Sequence, residues 1–375
     1  MKIAFTAPMK PLDHPVPSGD RTMGRLIVKA LRSAGHEVEV ASTFRAWRKN
    51  GSDAIQGEVR DEALKEADHV ADQWTRSGYR PDLFLTYHLY HKAPDWIGPA
   101  LADRFGLPYA VVEASRAPKR QEGDWAFGFA AADAALQRAD AVAAIHNADV
   151  ACLEAVVPND KLCVLLPFLE AGPFQKAGDA EKTNAKAPLK LLAVGMMRDG
   201  DKTRSFEVLA NALERVSDLP WSLTIIGDGP NRQNVLRLFP KERLNWLGAL
   251  PPEALPDHYA NHDMFVWPAI REAFGLALLE AQASGTGVIA GDTFGVPDIV
   301  RNGVTGLLSA EGDAEAFANN LRKVLHTPAL ADQFGAAARS HIATNHTLEA
   351  GAARLTDFSE MAFRNYSQTQ KAPSS

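Results

Sequence analysis

Short runs of β-branched and aliphatic residues alternate with segments of helical period along this chain, and they do so in two separate series. That alternation is the strongest constraint on the fold, because parallel strands can be joined only through crossovers, which are usually helices. The first series predicts strands at Lys2 to Thr6, Glu37 to Ala41, Leu83 to Tyr87, Tyr109 to Val112, Ala141 to Ile145 and Leu162 to Leu166. A helix over Thr22 to Ser33 carries Met23, Leu26, Ile27 and Ala30 on one stripe. The second series predicts strands at Leu189 to Val194, Ser222 to Ile226, Leu244 to Leu247, Met264 to Trp267 and Val288 to Ala290. Its first helix is expected near Ser205 to Val216. Two Rossmann-like halves follow, and open α/β sheets bind ligands at the carboxyl ends of their strands.

Between Pro167 and Pro188 the pattern stops in a stretch rich in Gly, Pro, Ala and Lys. The expected organisation is a first domain over residues 1–170, a linker over 171–188 and a second domain over 189–346. A helix over 347–366 crosses back to the first domain, and residues 367–375 form a disordered tail. A length of 375 residues suits two domains. Lys plus Arg number 40 against 46 Asp plus Glu, a formal charge of −6, which argues against nucleic acid as the main partner. Cys152 and Cys163 form no CxxC pair, so no zinc framework is expected and a reducing compartment fits. No run approaches the ~18 apolar residues of a membrane span, and the expectation is a soluble cytoplasmic protein. Two segments, residues 44–50 and 116–129, mix Arg and Lys with Trp47, Trp125 and Phe127, and predict weak peripheral attachment to the anionic inner face of a membrane, with ordinary surface over buried aromatics as the competing reading.

The segment most informative about chemistry is REAFGLALLEAQASGTGVIAGDTFGVPDIVRNGVTGLL, residues 271–308. Glu272 and Glu280 are eight apart, so a helix beginning near Gly275 spaces them by at most ~12 Å along its axis. That is too far for the two carboxyls, ~5 to 9.5 Å apart, that attack one bond in a glycosidase, and it suits two ends of an elongated ligand. Between them the amides of Phe274, Gly275 and Leu276 lie at a helix N-terminus, a favourable place for phosphate. A diphosphate flanked by two sugars describes a nucleotide sugar. Two solvated helix charges are the competing reading.

This segment resembles the Glu-x7-Glu signature of the family 4 glycosyltransferases, through Glu272, Phe274, Gly275, Leu276, Leu279, Glu280, Ala281, Ala283, Gly285, Val288, Ile289 and Ala290. Gly295, Pro297, Ile299, Val300, Gly303 and Gly306 continue it. Ala273, Gly287 and Phe294 depart from the pattern, and Phe294 is expected to narrow the space beside the donor. The resemblance implies the GT-B fold, two Rossmann-like domains facing across a cleft. It also implies a retaining, metal-independent transfer from a nucleotide-diphosphate sugar, with no cofactor and an unspecified acceptor. Under it Glu272 orients the sugar, Glu280 the ribose, and Lys202 and Arg198 neutralise the diphosphate, with Met196 standing where the family has Arg. His88 is expected to reach the donor sugar, and Gly19 to lie in a loop beside the diphosphate. Asp199 and Asp201 are read as ordinary acids rather than a metal site. A GT-B nucleotide-sugar epimerase shares the architecture. A nicotinamide oxidoreductase lacks support because no GxGxxG follows the first strand of either half.

Overall fold

The computed structural model describes residues 1–179 and 188–371, and the chain divides into two compact units. Residues 1–167 and 348–375 make the first and residues 168–347 the second. Each unit is built on a six-stranded, wholly parallel sheet. In the first, β1 (Lys2–Thr6), β2 (Glu37–Val40), β3 (Leu83–Leu89), β4 (Tyr109–Ala114), β5 (Ala141–Ala144) and β6 (Leu162–Val164) lie in the order β2-β1-β3-β4-β5-β6. In the second, β7 (Leu189–Val194), β8 (Trp221–Ile226), β9 (Leu244–Trp246), β10 (Met264–Trp267), β11 (Gly287–Asp292) and β12 (Gly306–Ala310) lie in the order β12-β11-β10-β7-β8-β9. Both units are thus Rossmann-like α/β. The strand order reverses between β1 and β3 in one sheet and between β7 and β10 in the other. Loops leaving adjacent strands at such a point diverge to opposite faces and open a crevice there.

Burial on both faces explains why these strands read as continuous apolar runs. Ile3, Ala4 and Phe5 of β1 and Met264, Phe265 and Val266 of β10 are fully buried. One buried acid in the first core is fully satisfied. The buried Asp95 carboxylate accepts from the Thr86 hydroxyl at 2.5 Å, the Tyr109 hydroxyl at 2.8 Å and the backbone N–H groups of Ile97 and Gly98, both at 2.9 Å. The last two bonds fix the start of the helix Ile97–Phe105.

Several boundaries differ from expectation. The first helix begins at Gly19 rather than Thr22, because the Ser18 hydroxyl accepts from the Arg21 N–H and caps it. Gly19 and Asp20 therefore sit in its first turn, not in a loop. Strands β3 and β4 run two residues further than their apolar runs, so His88 and Glu113 lie inside them, both with positive φ (62° and 60°). The region read as a linker carries a helix, Gly172–Gly178, started by Pro173 in its first turn; the ring of Phe174 meets that of Tyr259 edge-on at 6.0 Å. Residues 180–187 lie outside the described residues. The final helix, Leu348–Lys371, continues through residues expected in a tail; residues 372–375 also lie outside the described residues. Its apolar stripe of Ala352, Leu355, Phe358 and Ala362 is buried, and it packs on the helix Gly19–Ser33 and on β5.

No helix among the described residues is long and apolar enough to cross a membrane. The aromatics expected at a membrane surface are covered. Trp125 is buried with the Lys92 ammonium 4.9 Å above its ring, Arg60 covers Phe127 at 5.6 Å, and Trp47 lies under Arg45 and donates to the Tyr90 hydroxyl at 3.0 Å. Burying a ring and stacking a cation on it removes the apolar face an interfacial segment needs.

Candidate active site

At the switch point of the second sheet, the loop after β7 leads into the helix Asp201–Glu214 and the loop after β10 leads toward the helix Leu276–Ala283. The two are tied together: the Ser205 hydroxyl accepts from the Ile270 N–H at 3.0 Å, and the Arg271 guanidinium lies 3.7 Å from the Asp201 carboxylate. This brings Lys202 and Glu272, 70 residues apart, into an ion pair through Glu272 Oε2. The same oxygen accepts from the Trp267 indole N–H at 3.2 Å, and the Lys202 ammonium stands 5.4 Å from the centre of that indole. The loop carrying Glu272 holds Ala269 and Arg271 at φ 55° and 49°. Left-handed conformations at non-glycine residues cost about 1–3 kcal/mol each and persist where the surroundings enforce them.

Gly275 precedes the helix at φ 73°, and a Cβ there would come within 3.2 Å of Glu272 Cγ and 3.0 Å of Leu278 Cδ1. Glycine is required at this position by backbone conformation and by packing. No side chain caps the helix, so the N-terminal amides of the Phe274, Gly275 and Leu276 stretch are presented without a side-chain acceptor. The Phe274 ring is itself buried in the core, leaving only its backbone for a ligand. Eight residues after Glu272, Glu280 accepts at 2.7 Å from the hydroxyl of the buried Tyr259. Burial pushes the Glu280 carboxyl above its ordinary range, against the opposing pull of that hydrogen bond.

Arg198 is exposed, and its guanidinium has no hydrogen-bond or ion-pair partner among the described residues; only its carbonyl is used, by the Thr203 hydroxyl at 2.8 Å. Asp201 is engaged by Arg204 at 3.9 Å as well as by Arg271. The Gly227–Gly229 turn is structural: a Cβ at Gly227 would fall 1.9 Å from the Gly195 carbonyl oxygen, and the Asp228 carbonyl accepts from the Met197 N–H. Phe294 is 45% exposed at φ 39° and projects to solvent. Its neighbour Gly295 donates to the Ala273 carbonyl at 2.8 Å, which ties this loop to that of Glu272.

The switch point of the first sheet gathers His88, Asp20 and Glu113. His88 Nδ1 lies 3.3 Å from the Asp20 carboxylate and 3.2 Å from that of Glu113. Burial opposes charge on the ring, yet the Glu113 and Asp20 carboxylates outweigh it and lift His88 to about 9. Among the described residues this trio is the one group of three or more His, Cys, Asp or Glu whose donor atoms converge, within 4.8 Å. With both carboxylates turned on Nδ1, the imidazolium itself occupies the place of a cation. Gly19 has open space around a hypothetical Cβ, so nothing in its own unit demands glycine.

Sequence reasoning placed Glu272, Lys202 and His88 near strand or helix ends and Glu280 within a helix, and missed Trp267, Tyr259 and Ser205, which hold the second unit's group. Trp267 is the last residue of β10, and its place at a carboxyl end was the signal available.

Residues 180–341 match the family described as glycosyl transferases group 1. The sulfoquinovosyl transferase of Arabidopsis thaliana is 34% identical over 155 residues, 40% of this chain and 30% of that protein. The D-inositol 3-phosphate glycosyltransferase of Streptomyces griseus is 27% identical over 318 residues, 72% of this chain and 66% of that protein. The chain thus spans between about a third and two thirds of the length of these relatives. Among solved structures, sucrose-phosphate synthase from Thermosynechococcus elongatus superposes with a TM-score of 0.75 at 21% identity over 97% of this chain and 99% of its own. Anabaena HepE in complex with UDP gives 0.69 at 15% identity over 95% of this chain and 99% of its own. These similarities establish the GT-B glycosyltransferase fold.

Proposed function

We propose, from the premise that residues 180–341 belong to the glycosyl transferases group 1 family, that this protein moves a sugar from a nucleotide-diphosphate donor to an acceptor hydroxyl, with retained configuration and without a metal ion. The observation that carries the reading is the meeting of Lys202 and Glu272 beside an uncapped helix N-terminus at the switch point of the second sheet. A cation and free amides suit a diphosphate, and a carboxylate suits sugar hydroxyls. Lys202, Arg198 and the amides of the Phe274 to Leu276 stretch are assigned to the diphosphate, Glu280 to the ribose and Glu272 to the transferred sugar. Gly19 and His88 are the first unit's contributions, to donor binding and to catalysis. The departing diphosphate takes the acceptor proton while these cations and amides hold its charge, so the acceptor attacks from the face the phosphate leaves.

The acceptor reading favours an anionic compound. Burial holds His91 down to about 4, helped by Arg120, Lys92 and Lys119, which gather positive charge around the loop after β3 in a chain of net −6. The Streptomyces relative is named for a phosphorylated compound, D-inositol 3-phosphate. Attachment to an anionic surface through the same cations belongs to this reading only as a weak electrostatic contact, given the covered aromatics.

Thermal shift with UDP, GDP and ADP and their sugars tests the reading. At least one nucleoside diphosphate should raise the melting temperature. Glu280→Gln should weaken it roughly ten- to a hundredfold, the worth of a charge-assisted hydrogen bond, with turnover at saturating donor changed only a few-fold. A panel that leaves the wild type unshifted, or a Glu280→Gln variant that binds as well as wild type, would sink it.

A further inference from the structure

Lys202 and Glu272 have been assigned to different parts of one donor, the diphosphate and the sugar, yet in the structure they are bound to each other. Their contact is no chance meeting of surface rotamers. The segments that carry them are joined by the Ser205 hydroxyl, which accepts from the Ile270 N–H, and the side chains are only 21% and 18% exposed. The loop of Glu272 is further held by the Arg271 N–H donating to Glu311 at 2.9 Å and the Glu272 N–H donating to the Ala269 carbonyl at 3.2 Å. With both backbones held, the pair opens by rotation of side chains alone.

We propose that the Lys202–Glu272 ion pair is a specificity device that makes the site select an intact nucleotide sugar over the spent nucleoside diphosphate. This inference rests on the sugar-nucleotide reading above. A bare nucleoside diphosphate that takes Lys202 strips Glu272 of its cation and sets a second anion beside a partly buried carboxylate whose one remaining donor among the described residues is the Trp267 indole. An unpaired, half-desolvated charge of this kind is costly. An intact donor brings hydroxyl groups with its phosphates, so the carboxylate exchanges one partner for others. Once the sugar has been transferred, those hydroxyls leave, Glu272 again competes for Lys202, and the product diphosphate is loosened. The pair therefore acts as an internal competitor that only a ligand with both an anionic and a polyhydroxyl end displaces without loss.

The test is calorimetric titration of wild type, Glu272→Gln, Lys202→Gln and the double variant with bare UDP, GDP and ADP. Glu272→Gln should bind the preferred nucleoside diphosphate about tenfold more tightly than wild type and show correspondingly stronger product inhibition in any residual turnover. In the Lys202→Gln background the same substitution should change affinity less than about twofold, which assigns the gain to the freed lysine. Thermal melting of each variant checks that the unit stays folded. Equal or weaker diphosphate binding by a folded Glu272→Gln overturns the competition while leaving the donor site intact. If neither wild type nor variant binds any of the three nucleotides, the sugar-nucleotide reading falls and this inference with it.

Discussion

Replacing Phe358 by Ala should destabilise the first unit by about 3–5 kcal/mol, the usual cost of emptying a buried aromatic site. Phe358 is 2% exposed and belongs to the stripe with Leu355 and Ala362, both fully buried, on the final helix. Leu355→Ala adds a further loss of about 2–5 kcal/mol. Domain stabilities run at about 5–15 kcal/mol, so the two losses together reach the stability of an ordinary domain. Scanning calorimetry should show the transition of the first unit falling by roughly 6–20 °C for Phe358→Ala, at about 2–4 °C per kcal/mol for a body of this size. The transition of the second unit, which shares no core residue with this helix, should stay in place. A control at the exposed Glu360–Arg364 pair, 3.6 Å apart, should change stability by no more than about 0.5 kcal/mol. A Phe358→Ala protein that melts like wild type would show that the helix is dispensable to its unit.

The second large effect is on pH dependence. His88 titrates at about 9 because Glu113 and Asp20 more than offset its burial, so under the proposed reading it works as a cation, with Nδ1 held by the carboxylates and Nε2 left for substrate. Turnover should hold from neutrality upward and fall as pH climbs through about 9. Glu113→Gln removes one of the two charges on the ring and should bring that alkaline limb down by a unit or more. The other groups around the ring are Asp149, Tyr87 and Tyr90, with Lys10 acting on Asp20. The residual elevation in the variant is that of Asp20 and Asp149. His88→Ala should lower turnover roughly ten- to a hundredfold. Stability follows the same linkage: the folded value lies above the ordinary 6.5, so the contribution is fully present below about 6.5 and is lost as pH rises through about 9. The imidazole resonances give the titration directly, without activity. A Glu113→Gln protein whose His88 titrates unchanged would rule out the carboxylates as the cause.

How far the sequence reached depends on the range of the interactions involved. The strands were legible because a strand buried on both faces must be an apolar run of a few residues, and eleven such runs are visible without any tertiary information. β12 was missed: Gly306 to Ala310, GLLSA, is short and mixed, and its pairing with β11 supplies what its composition does not. The carboxyl ends of β3 and β4 were cut short because His88 and Glu113 break the apolar pattern at the point where they become useful. Of the second unit's site, Glu272 and Glu280 were visible through a motif nine residues long. Tyr259, 21 residues from Glu280, and Lys202, 70 from Glu272, are joined to them only by the folded sheet. A local window carries no trace of that.

The division of the chain has a consequence for its synthesis. Residues 1–167 leave the ribosome lacking the helix that covers their faces at β5 and Gly19–Ser33, and that helix comes only after the whole of residues 168–347. The second unit, contiguous in sequence, can close its core while still tethered. The first must wait through 180 residues of elongation, roughly 10–40 s at about 5–20 residues per second, with apolar surface open to chaperones. Of the two units, the one begun first is therefore the one finished last.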